Sequence, residues 1–428
     1  MSSNLILTGA KIIDPVSGYF GSGDVYISDG KIERVEKRKN RARPGRRAKN
    51  LKGLYLCPGL IDMHVHLREP GREDEETIIS GGEAAAAGGF TAVACMPNTE
   101  PALDNAESIK FVLERAQMAK VKVFPVGAIT VGRKGETLAP MMEMHETGAV
   151  AFSDDGHGLQ NSHLMRRALE YTRTCNVPII SHCEYDDLAS DGVMNESFVS
   201  TVLGMKGIPS VAEELMVARD IMLAQYTGGR VHIAHVSTAG SVDLIRRAKR
   251  ARIKVTAEAT PHHFTLTDEL IRSFDTNLKV NPPLRTKKDV DALRKGLADG
   301  VIDCIATDHA PHAIEEKEME FDFAPSGMIG LETALGLVAT ELIARKVMTW
   351  PEAIKAMTAN PARILNLPGG TFEIGSTADL TVIDPNLEWV VSKNDFHSLS
   401  KNSPFIGRKL KGKAVMTIVN GKVVHSIM

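Results

Sequence analysis

Eight apolar, strand-like runs alternate with helix-like stretches in the middle of this chain, and no other feature limits its possible folds as much. The runs are Leu60–His66, Thr91–Met96, Val121–Ile129, Ala149–Asp154, Pro178–His182, Arg230–Val236, Lys254–Ala259 and Ile302–Thr307. The helix-like stretches between them include Glu75–Ala87, Ala106–Lys120, Ser162–Thr174, Val211–Ala224 and Ser241–Arg250. Strands separated by helices pair in parallel, and eight such units close into a barrel. The pattern therefore predicts an α/β protein built on a TIM-type (β/α)8 barrel.

Both ends of the chain are β-rich and flank this alternating region. Strand-like runs cover Leu5–Ile13, Asp24–Ile27, Ile32–Val35, Asp379–Ile383, Val415–Val419 and Lys422–His425. Asp29-Gly30 and Asn420-Gly421 are typical of tight hairpin turns. Because apolar strands need a partner, we expect residues 1–57 and 369–428 to form one small β-sandwich beside a catalytic barrel of residues 58–368. A helical part is expected from Leu331 to about Leu365.

The bulk composition argues against several classes of protein. The 428 residues contain 51 Lys and Arg against 53 Asp and Glu, and this net charge of −2 does not favour a nucleic-acid-binding protein. No apolar stretch approaches the roughly 20 residues that span a bilayer, and the first six residues lack the pattern of a signal peptide. Five widely spaced cysteines without a Cys-x-x-Cys pair are typical of reduced thiols. We therefore expect a cytoplasmic protein.

One segment departs from this even balance of charge. Eight basic residues lie between Lys37 and Lys49 and surround Pro44-Gly45. A solvated loop is the favoured interpretation, with a binding site for an anionic partner as the alternative.

Potential metal ligands end five of the eight strands. His64 and His66 share one face of the first strand, because side chains alternate along a strand. The other candidates are Asp154 and Asp155 after the fourth strand, His182 after the fifth, His235 after the sixth and Asp308 after the eighth. In such barrels the chemistry takes place at these strand ends. Four histidines and two aspartates exceed one tetrahedral zinc site and suit two divalent ions. We expect one ion at His64, His66 and Asp308, and the other at His182 and His235.

A bridging carboxylate is then needed from the fourth strand, where two aspartates compete. Asp154 continues the strand, whereas Asp155 lies at the turn before Gly156, and geometry alone leaves both open. Arg68 follows the two histidines of the first strand and supplies a planar cation, which can bind a carboxylate through two hydrogen bonds.

Seven motifs together resemble the bacterial dihydroorotases of the amidohydrolase superfamily. They are His64–Arg68, Met96–Thr99, Asp154–Gly156, Ser181–Glu184, His235–Thr238, Asn281–Arg285 and Ala306–His312. The resemblance extends over nearly the whole chain. It implies reversible, zinc-dependent cyclisation of N-carbamoyl-L-aspartate to (S)-dihydroorotate in pyrimidine synthesis, with two zinc ions in each subunit. It also assigns the bridging role to Asp155, whereas many amidohydrolases use a carboxylated lysine.

The expected mechanism combines metal chemistry with one carboxylate. A bound metal lowers the pKa of water from about 15.7 towards ~7, and the resulting hydroxide attacks the ring amide carbonyl. Asp308 takes the hydroxide proton and passes it to the leaving ring nitrogen, as general base and then general acid. Run backwards, the same groups close the ring.

The resemblance further implies a set of substrate contacts. Asn98 and His312 join Arg68 around the carboxylate that does not react, and Asn281 contacts the pyrimidine ring. The remaining contacts are expected from His66 and from the backbone of Ser326 and Gly327. Relatives often carry Phe at the position of Ser326, and a contact made by the backbone alone tolerates that change.

Two other functions compete with this interpretation. A hydantoinase or an allantoinase would share the barrel and the two metals, but Arg68 and the Asn281–Arg285 run favour an acidic substrate. A catalytically inactive scaffold, for instance for aspartate transcarbamoylase, should have lost ligands, whereas this chain keeps all six. The resemblance implies a homodimer and an association with aspartate transcarbamoylase.

Overall fold

The computed structural model describes residues 5–37 and 48–428. Most of the basic segment therefore lies outside the described residues. The strands are β1 (Leu5–Asp14), β2 (Tyr19–Ser28), β3 (Lys31–Lys37), β4 (Ala48–Asn50), β5 (Tyr55–Pro58), β6 (Leu60–Val65), β7 (Phe90–Cys95), β8 (Lys122–Pro125), β9 (Ile179–Ser181), β10 (Met194–Asn195), β11 (Gly207–Ile208), β12 (Val231–Ile233), β13 (Val255–Ala259), β14 (Cys304–Ile305), β15 (Leu380–Val390), β16 (Lys409–Val419) and β17 (Lys422–Ser426).

The α-helices are α1 (Ile78–Gly88), α2 (Ala106–Ala116), α3 (Met141–Thr147), α4 (Ser162–Cys175), α5 (Asp186–Ala189), α6 (Phe198–Leu203), α7 (Ser210–Thr227), α8 (Ala239–Arg250), α9 (Lys287–Ala298), α10 (Ile314–Lys317), α11 (Ala334–Leu337), α12 (Trp350–Ala356) and α13 (Ala359–Ile364). Short 3-10 turns cover Val131–Arg133, Asp268–Ser273, Thr276–Leu278 and Lys393–Asp395, and a π-helical segment covers Val338–Ile343. The predicted helical part after Leu331 is thus four short pieces. Among the described helices, none is long and apolar enough to cross a membrane.

Parallel pairing closes the barrel. Strands β6, β7 and β8 form one part of its wall, and β9, β12, β13 and β14 form the other. Phe152 joins the two parts through bridges to Gly127 and Ile179, and a bridge between Val65 and His309 closes the circle. The predicted (β/α)8 barrel is therefore confirmed, with residues 150–153 in the position of the fourth strand.

Backbone hydrogen bonds hold the predicted fourth strand between the third and the fifth. Within the expected run Ala149–Asp154, Val150, Ala151 and Ser153 bond to the third strand, and Phe152 bonds to the fifth. The carboxylate of Asp154 accepts hydrogen bonds from the backbone N–H groups of Ile129 and Thr130, at 2.9 and 3.0 Å. Because a side chain uses these donors, the backbone bonds between the third and fourth strands end at Ser153.

The helices around the barrel begin and end at residues with capping chemistry. The Thr77 side chain accepts from the backbone N–H of Ser80 at the start of α1, and Gly89 ends this helix with a φ of 93°. On α8, Val242, Ile245 and Ala248 are buried at helical spacing, so one apolar face packs on the barrel. Complete burial of a Val or Ile side chain contributes roughly 1.5–3 kcal/mol to stability.

Strands from both ends of the chain form one sheet that folds into the predicted sandwich. Its order is β17-β16-β15-β5-β1-β2-β3, and β4 also pairs with β1. The Ala378 backbone N–H donates to Gly30 O at 2.8 Å, and the Gly421 N–H donates to Ala378 O at 2.9 Å, so the two hairpin turns meet. A separate apolar core lies inside, with Leu7 and Leu380 among its fully buried residues.

Candidate metal centre

The six predicted ligands meet at the C-terminal end of the barrel strands. One group consists of His64, His66 and Asp308, and another of His64, Asp155 and His235, with the ligand atoms of each group within 4.8 Å of one another. His182 completes the set, because its Nδ1 lies 2.9 Å from His235 Nε2. All six residues are buried. The strand ends thus bring together side chains that are up to 244 positions apart, from His64 to Asp308.

Asp155 lies at the centre of this cluster. Its Oδ1 is 3.3 Å from His64 Nε2, 3.7 Å from His182 Nδ1 and 3.8 Å from His235 Nε2. Its Oδ2 is 3.6 Å from His66 Nε2. Asp154 instead holds the backbone of the third strand, as described above. Of the two aspartates that the sequence leaves open, the structure therefore brings Asp155 to the histidines.

The donor atoms of this cluster fit a divalent metal ion. Among the described residues, neither His64 Nε2 nor Asp155 Oδ1 has a hydrogen-bond partner, although both atoms are buried. Buried polar atoms normally have partners, so these two need one from outside the chain. Imidazole nitrogens with carboxylate oxygens are typical ligands of zinc and similar ions. The family-level expectation of a metal cofactor agrees with this donor set.

Further polar residues orient the first two histidines. The Nδ1–H of His64 donates to Glu258 Oε1 at 2.6 Å, and the Nδ1–H of His66 donates to Asn98 Oδ1 at 2.8 Å. Such bonds fix the ring so that Nε2 faces the metal position. Glu258 also lies 3.1 Å from His232 Nε2. Sequence reasoning missed Glu258. The one signal that could have found it is its position as an acidic residue inside an apolar strand-like run.

The charges of the cluster keep its carboxylates ionised. Burial by itself would raise the pKa of Asp308, but the hydrogen bond with His66 and the nearby His64 hold that pKa well below its usual range. Burial would also raise the pKa of Asp155, but the charge of His64 outweighs burial and lowers that pKa. Carboxylates must be deprotonated to bind a metal, and both meet this requirement.

Three residues of the site have left-handed backbone conformations. The φ values are 59° at Arg68, 26° at His235 and 49° at Asp308. Such conformations cost on the order of 1–3 kcal/mol in non-glycine residues and occur where surrounding structure enforces them, often at functional sites. Here they turn the chain directly after strands one, six and eight.

A cavity of about 230 Å³ opens beside the predicted metal ligands. Its lining includes all the predicted substrate contacts, namely His66, Arg68, Asn98, Asn281, His312, Ser326 and Gly327. The amide of Asn281 already donates from Nδ2 to Glu184 Oε1 at 3.1 Å. Its Oδ1 is buried and has no partner in the described part of the chain. That oxygen is therefore free to accept from a bound molecule.

A cation and an imidazole also line the cavity. Arg68 Nη2 lies 3.3 Å from His312 Nε2, and the same nitrogen of His312 is 2.9 Å from the carbonyl oxygen of Ser326. A Cβ on Gly327 would lie 2.8 Å from Ala310 Cβ and 2.9 Å from His312 Nε2, so glycine is needed there. This side of the cavity suits an anionic group.

A segment from the C-terminal part of the chain supports this side of the cavity. Asn402 Nδ2 donates to Ala310 O at 3.0 Å and to Gly327 O at 3.2 Å, and its Oδ1 accepts from the His312 backbone N–H at 3.1 Å. Sequence reasoning missed Asn402, because nothing local marks an asparagine 90 positions after His312.

Other histidines near the strand ends lie outside the ligand cluster. His309 Nε2 is 3.3 Å from Glu76 Oε2, and His157 is exposed. His263 contacts Thr260 through Nδ1. His262 is buried beside Asp308 and His235, and burial lowers its pKa to about 4. It is therefore neutral at pH 7.

Comparisons with known proteins identify the family of this chain. The model of the dihydro-orotase-like family matches residues 53–241, and that of the amidohydrolase family matches residues 211–425. A dihydroorotase of Pelotomaculum thermopropionicum is 57% identical over 98% of both chains, and one of Geobacter metallireducens is 51% identical over 99% of both. The solved L-hydantoinase of Arthrobacter aurescens has a TM-score of 0.88 at 24% identity, covering 99% of this chain and 96% of the other. That likeness concerns the fold, whereas the sequence identities show that this chain belongs to the dihydroorotase family of amidohydrolases.

Proposed function

We propose that this protein is a dihydroorotase, which converts N-carbamoyl-L-aspartate reversibly to (S)-dihydroorotate and water in pyrimidine synthesis. One observation carries the proposal. The lining of a single cavity combines five residues of the His and Asp cluster with Arg68 and His312. A substrate with one reacting amide and one carboxylate that does not react requires both kinds of group. The identities of 51–57% with dihydroorotases support the same reaction.

Two zinc ions are the proposed cofactor. His64, His66 and Asp308 would hold one, His182 and His235 the other, and Asp155 would bridge them. The central position of Asp155, within 3.8 Å of all four histidines, supports this assignment. When bound, zinc lowers the pKa of water and polarises a carbonyl oxygen.

Asp308 is the proposed general acid and base. Its carboxylate lines the cavity and lies 3.0 Å from His66 Nε2. Because its pKa is held low, Asp308 is ionised at neutral pH and can accept a proton from the attacking water. It then returns that proton to the ring nitrogen as the C–N bond breaks. In the direction of synthesis the same carboxylate removes a proton from the ureido nitrogen.

Arg68 and His312 are proposed to bind the carboxylate that does not react, with Asn98 beside them. Asn281 would contact the ring through its free Oδ1, and the Ser326–Gly327 backbone would close the pocket. The Ser326 side chain is exposed, which supports a contact through the backbone alone.

A hydantoinase is the second candidate function, because solved hydantoinases share the fold. Its neutral ring would leave Arg68 without an anionic partner in the cavity. Turnover of dihydroorotate, dihydrouracil and hydantoin by one purified sample separates the two. A dihydroorotase hydrolyses the first far faster, and faster turnover of a neutral ring would contradict the proposal.

The decisive assay follows dihydroorotate hydrolysis by absorbance, with metal content measured on the same sample. We expect about two zinc ions per chain, loss of activity with a chelator and recovery with zinc. Arg68→Ala should lower kcat/KM for dihydroorotate by 100-fold or more with metal content unchanged, because charged hydrogen bonds contribute roughly 1.5–3 kcal/mol each. Arg167→Ala, at an exposed position of α4, serves as the control. Wild-type kinetics in Arg68→Ala would show that this assignment is wrong.

Four further properties belong to the same proposal. We propose a cytoplasmic homodimer that associates with aspartate transcarbamoylase, with domain boundaries after residues 57 and 368. Helix α7 supports an oligomer, because Val211, Leu215, Met222 and Tyr226 expose 42–73% of their surface along its outer face. Sedimentation velocity of the protein alone and mixed with the transcarbamoylase tests both associations.

A further inference from the structure

Glu75 belongs to the loop after the first barrel strand and is buried against the loop after the eighth. It is 1% exposed. One of its oxygens, Oε2, accepts from Arg68 Nε at 2.9 Å. The other, Oε1, accepts from His312 Nδ1 at 2.9 Å and lies 3.1 Å from Arg72 Nη2. A single carboxylate thus holds both side chains that are proposed to bind the substrate carboxylate.

This arrangement decides which atoms of the pair face the cavity. Arg68 Nε is occupied by Glu75 and by the carbonyl oxygen of Pro311 at 3.1 Å, so the terminal nitrogens of the guanidinium remain for a ligand. Because Glu75 holds Nδ1 of His312, the other ring nitrogen, Nε2, lies 3.3 Å from Arg68 Nη2. Both residues line the cavity, whereas Glu75 does not. Glu75 therefore makes no direct contact with a ligand in the cavity and reaches it through these two side chains.

The charges around Glu75 indicate an ion-pair network rather than another metal site. Glu75, His312 and Glu316 are close enough to hold an ion. However, Arg72 Nη2 lies 2.7 Å from Glu316, and Arg68 pairs with Glu75, so two cations already neutralise both carboxylates. Glu75 also supplies the counter-charge of the buried Arg68 guanidinium, at 2.9 Å from its Nε.

We infer that Glu75 is a positioning residue that sets the geometry of Arg68 and His312 and thereby the preference for a carboxylated substrate. This inference rests on the proposed function and deepens it. Without the Glu75 charge, Arg68 and His312 lose their common anchor while the metal ligands keep theirs. Binding of the substrate carboxylate should then weaken with little change in the chemical step.

Steady-state kinetics of Glu75→Gln with dihydroorotate test this directly. Gln keeps the size of the side chain and one oxygen but removes the charge. We expect KM to rise about 10- to 100-fold, with kcat within about 3-fold of wild type and metal content unchanged. The matched control is Glu73→Gln in the same loop, where the side chain is exposed, and its KM should not change. An unchanged KM in Glu75→Gln would overturn the inference.

A double-mutant cycle shows whether Glu75 acts through Arg68. If it does, Glu75→Gln should raise KM much less in an Arg68→Ala background than in the wild type. Equal factors in both backgrounds would refute the inference, as would loss of kcat together with metal. Glu75→Asp keeps the charge on a shorter side chain, so its KM should lie between those of Glu75→Gln and the wild type. If neither variant folds, the role of Glu75 is structural and the inference is wrong. A wild-type protein that does not hydrolyse dihydroorotate would instead refute the proposed function.

Discussion

Neighbouring residues at the strand ends take different roles, because successive side chains point in different directions. Asp154 holds the N–H groups of the third strand, while Asp155 reaches the histidines. Asp308 lies 3.0 Å from His66, while His309 turns to Glu76. The alternation that points one side chain at the site thus points that of its neighbour away from the site.

Lys317 should make stability depend on pH. Its Nζ donates to the carbonyl oxygens of Pro325 and Gly327 at 2.7 and 3.0 Å, which holds the loop that carries Ser326. Burial, with Lys279 nearby, lowers its pKa from 10.5 to about 7. Between these values the unfolded chain binds a proton that the folded chain lacks. The free energy of unfolding should therefore rise with pH across this window, by up to about 1.4 kcal/mol per pH unit.

Urea unfolding of the wild type and Lys317→Met at pH 7, 8 and 9 measures this contribution. The difference in unfolding free energy, wild type minus variant, should increase with pH. Lys295→Met, at an exposed position of α9, should give a constant difference. A constant difference for Lys317→Met as well would contradict the pKa assigned to this lysine.

At the scale of elements, the two terminal hairpins show how local turn chemistry and a distant contact combine. The φ values are 50° and 77° at Asp29 and Gly30, and 51° and 72° at Asn420 and Gly421. These values suit the tight turns that both dipeptides predict. The sequence does not indicate that the two turns touch.

Gly421→Ala should destabilise the protein through that contact. A Cβ there would lie 2.7 Å from Gly30 Cα, where no flexible side chain can yield. The matched control is Gly18→Ala, with a φ of 70° and nothing within 4 Å of the added Cβ. The control should lose only the roughly 1–2 kcal/mol of the left-handed conformation. Gly421→Ala should lose about 1–3 kcal/mol more, as overpacking does. Equal unfolding free energies for the two variants would show that the turns separate at little cost.

At the scale of the whole molecule, the metal should contribute to stability as well as to catalysis. Its proposed ligands come from five different strand ends, and an ion bound there joins them only in the folded state. Binding to the folded state alone stabilises it by about 2.7 kcal/mol at 100 times Kd. A chelator should therefore lower Tm by several degrees, and zinc should restore it.

Thermal melting with and without zinc measures this effect. The zinc-dependent shift should be reduced in His235→Ala and kept in His163→Ala, whose imidazole lies exposed on α4. If both variants respond to zinc like the wild type, the stabilising ion is bound elsewhere.

Much of the molecule follows from sequence patterns within a few residues. The alternation of apolar strands and helices was enough to predict the barrel, and two turn dipeptides were enough to predict the terminal hairpins. Residue type at the strand ends, together with the family motifs, was enough to select the six side chains that the structure brings together.

Only the tertiary structure decided the parts that depend on contacts between distant residues. The backbone pairing of the fourth strand ends where Asp154 reaches across to Thr130. Glu75 meets His312 from 237 positions away, and Glu258 meets His64 from 194. Local patterns describe which face a residue occupies, but not which residue the fold places opposite it. The sequence by itself therefore determined the barrel and the six proposed ligands, and the folded chain determined what holds and orients them.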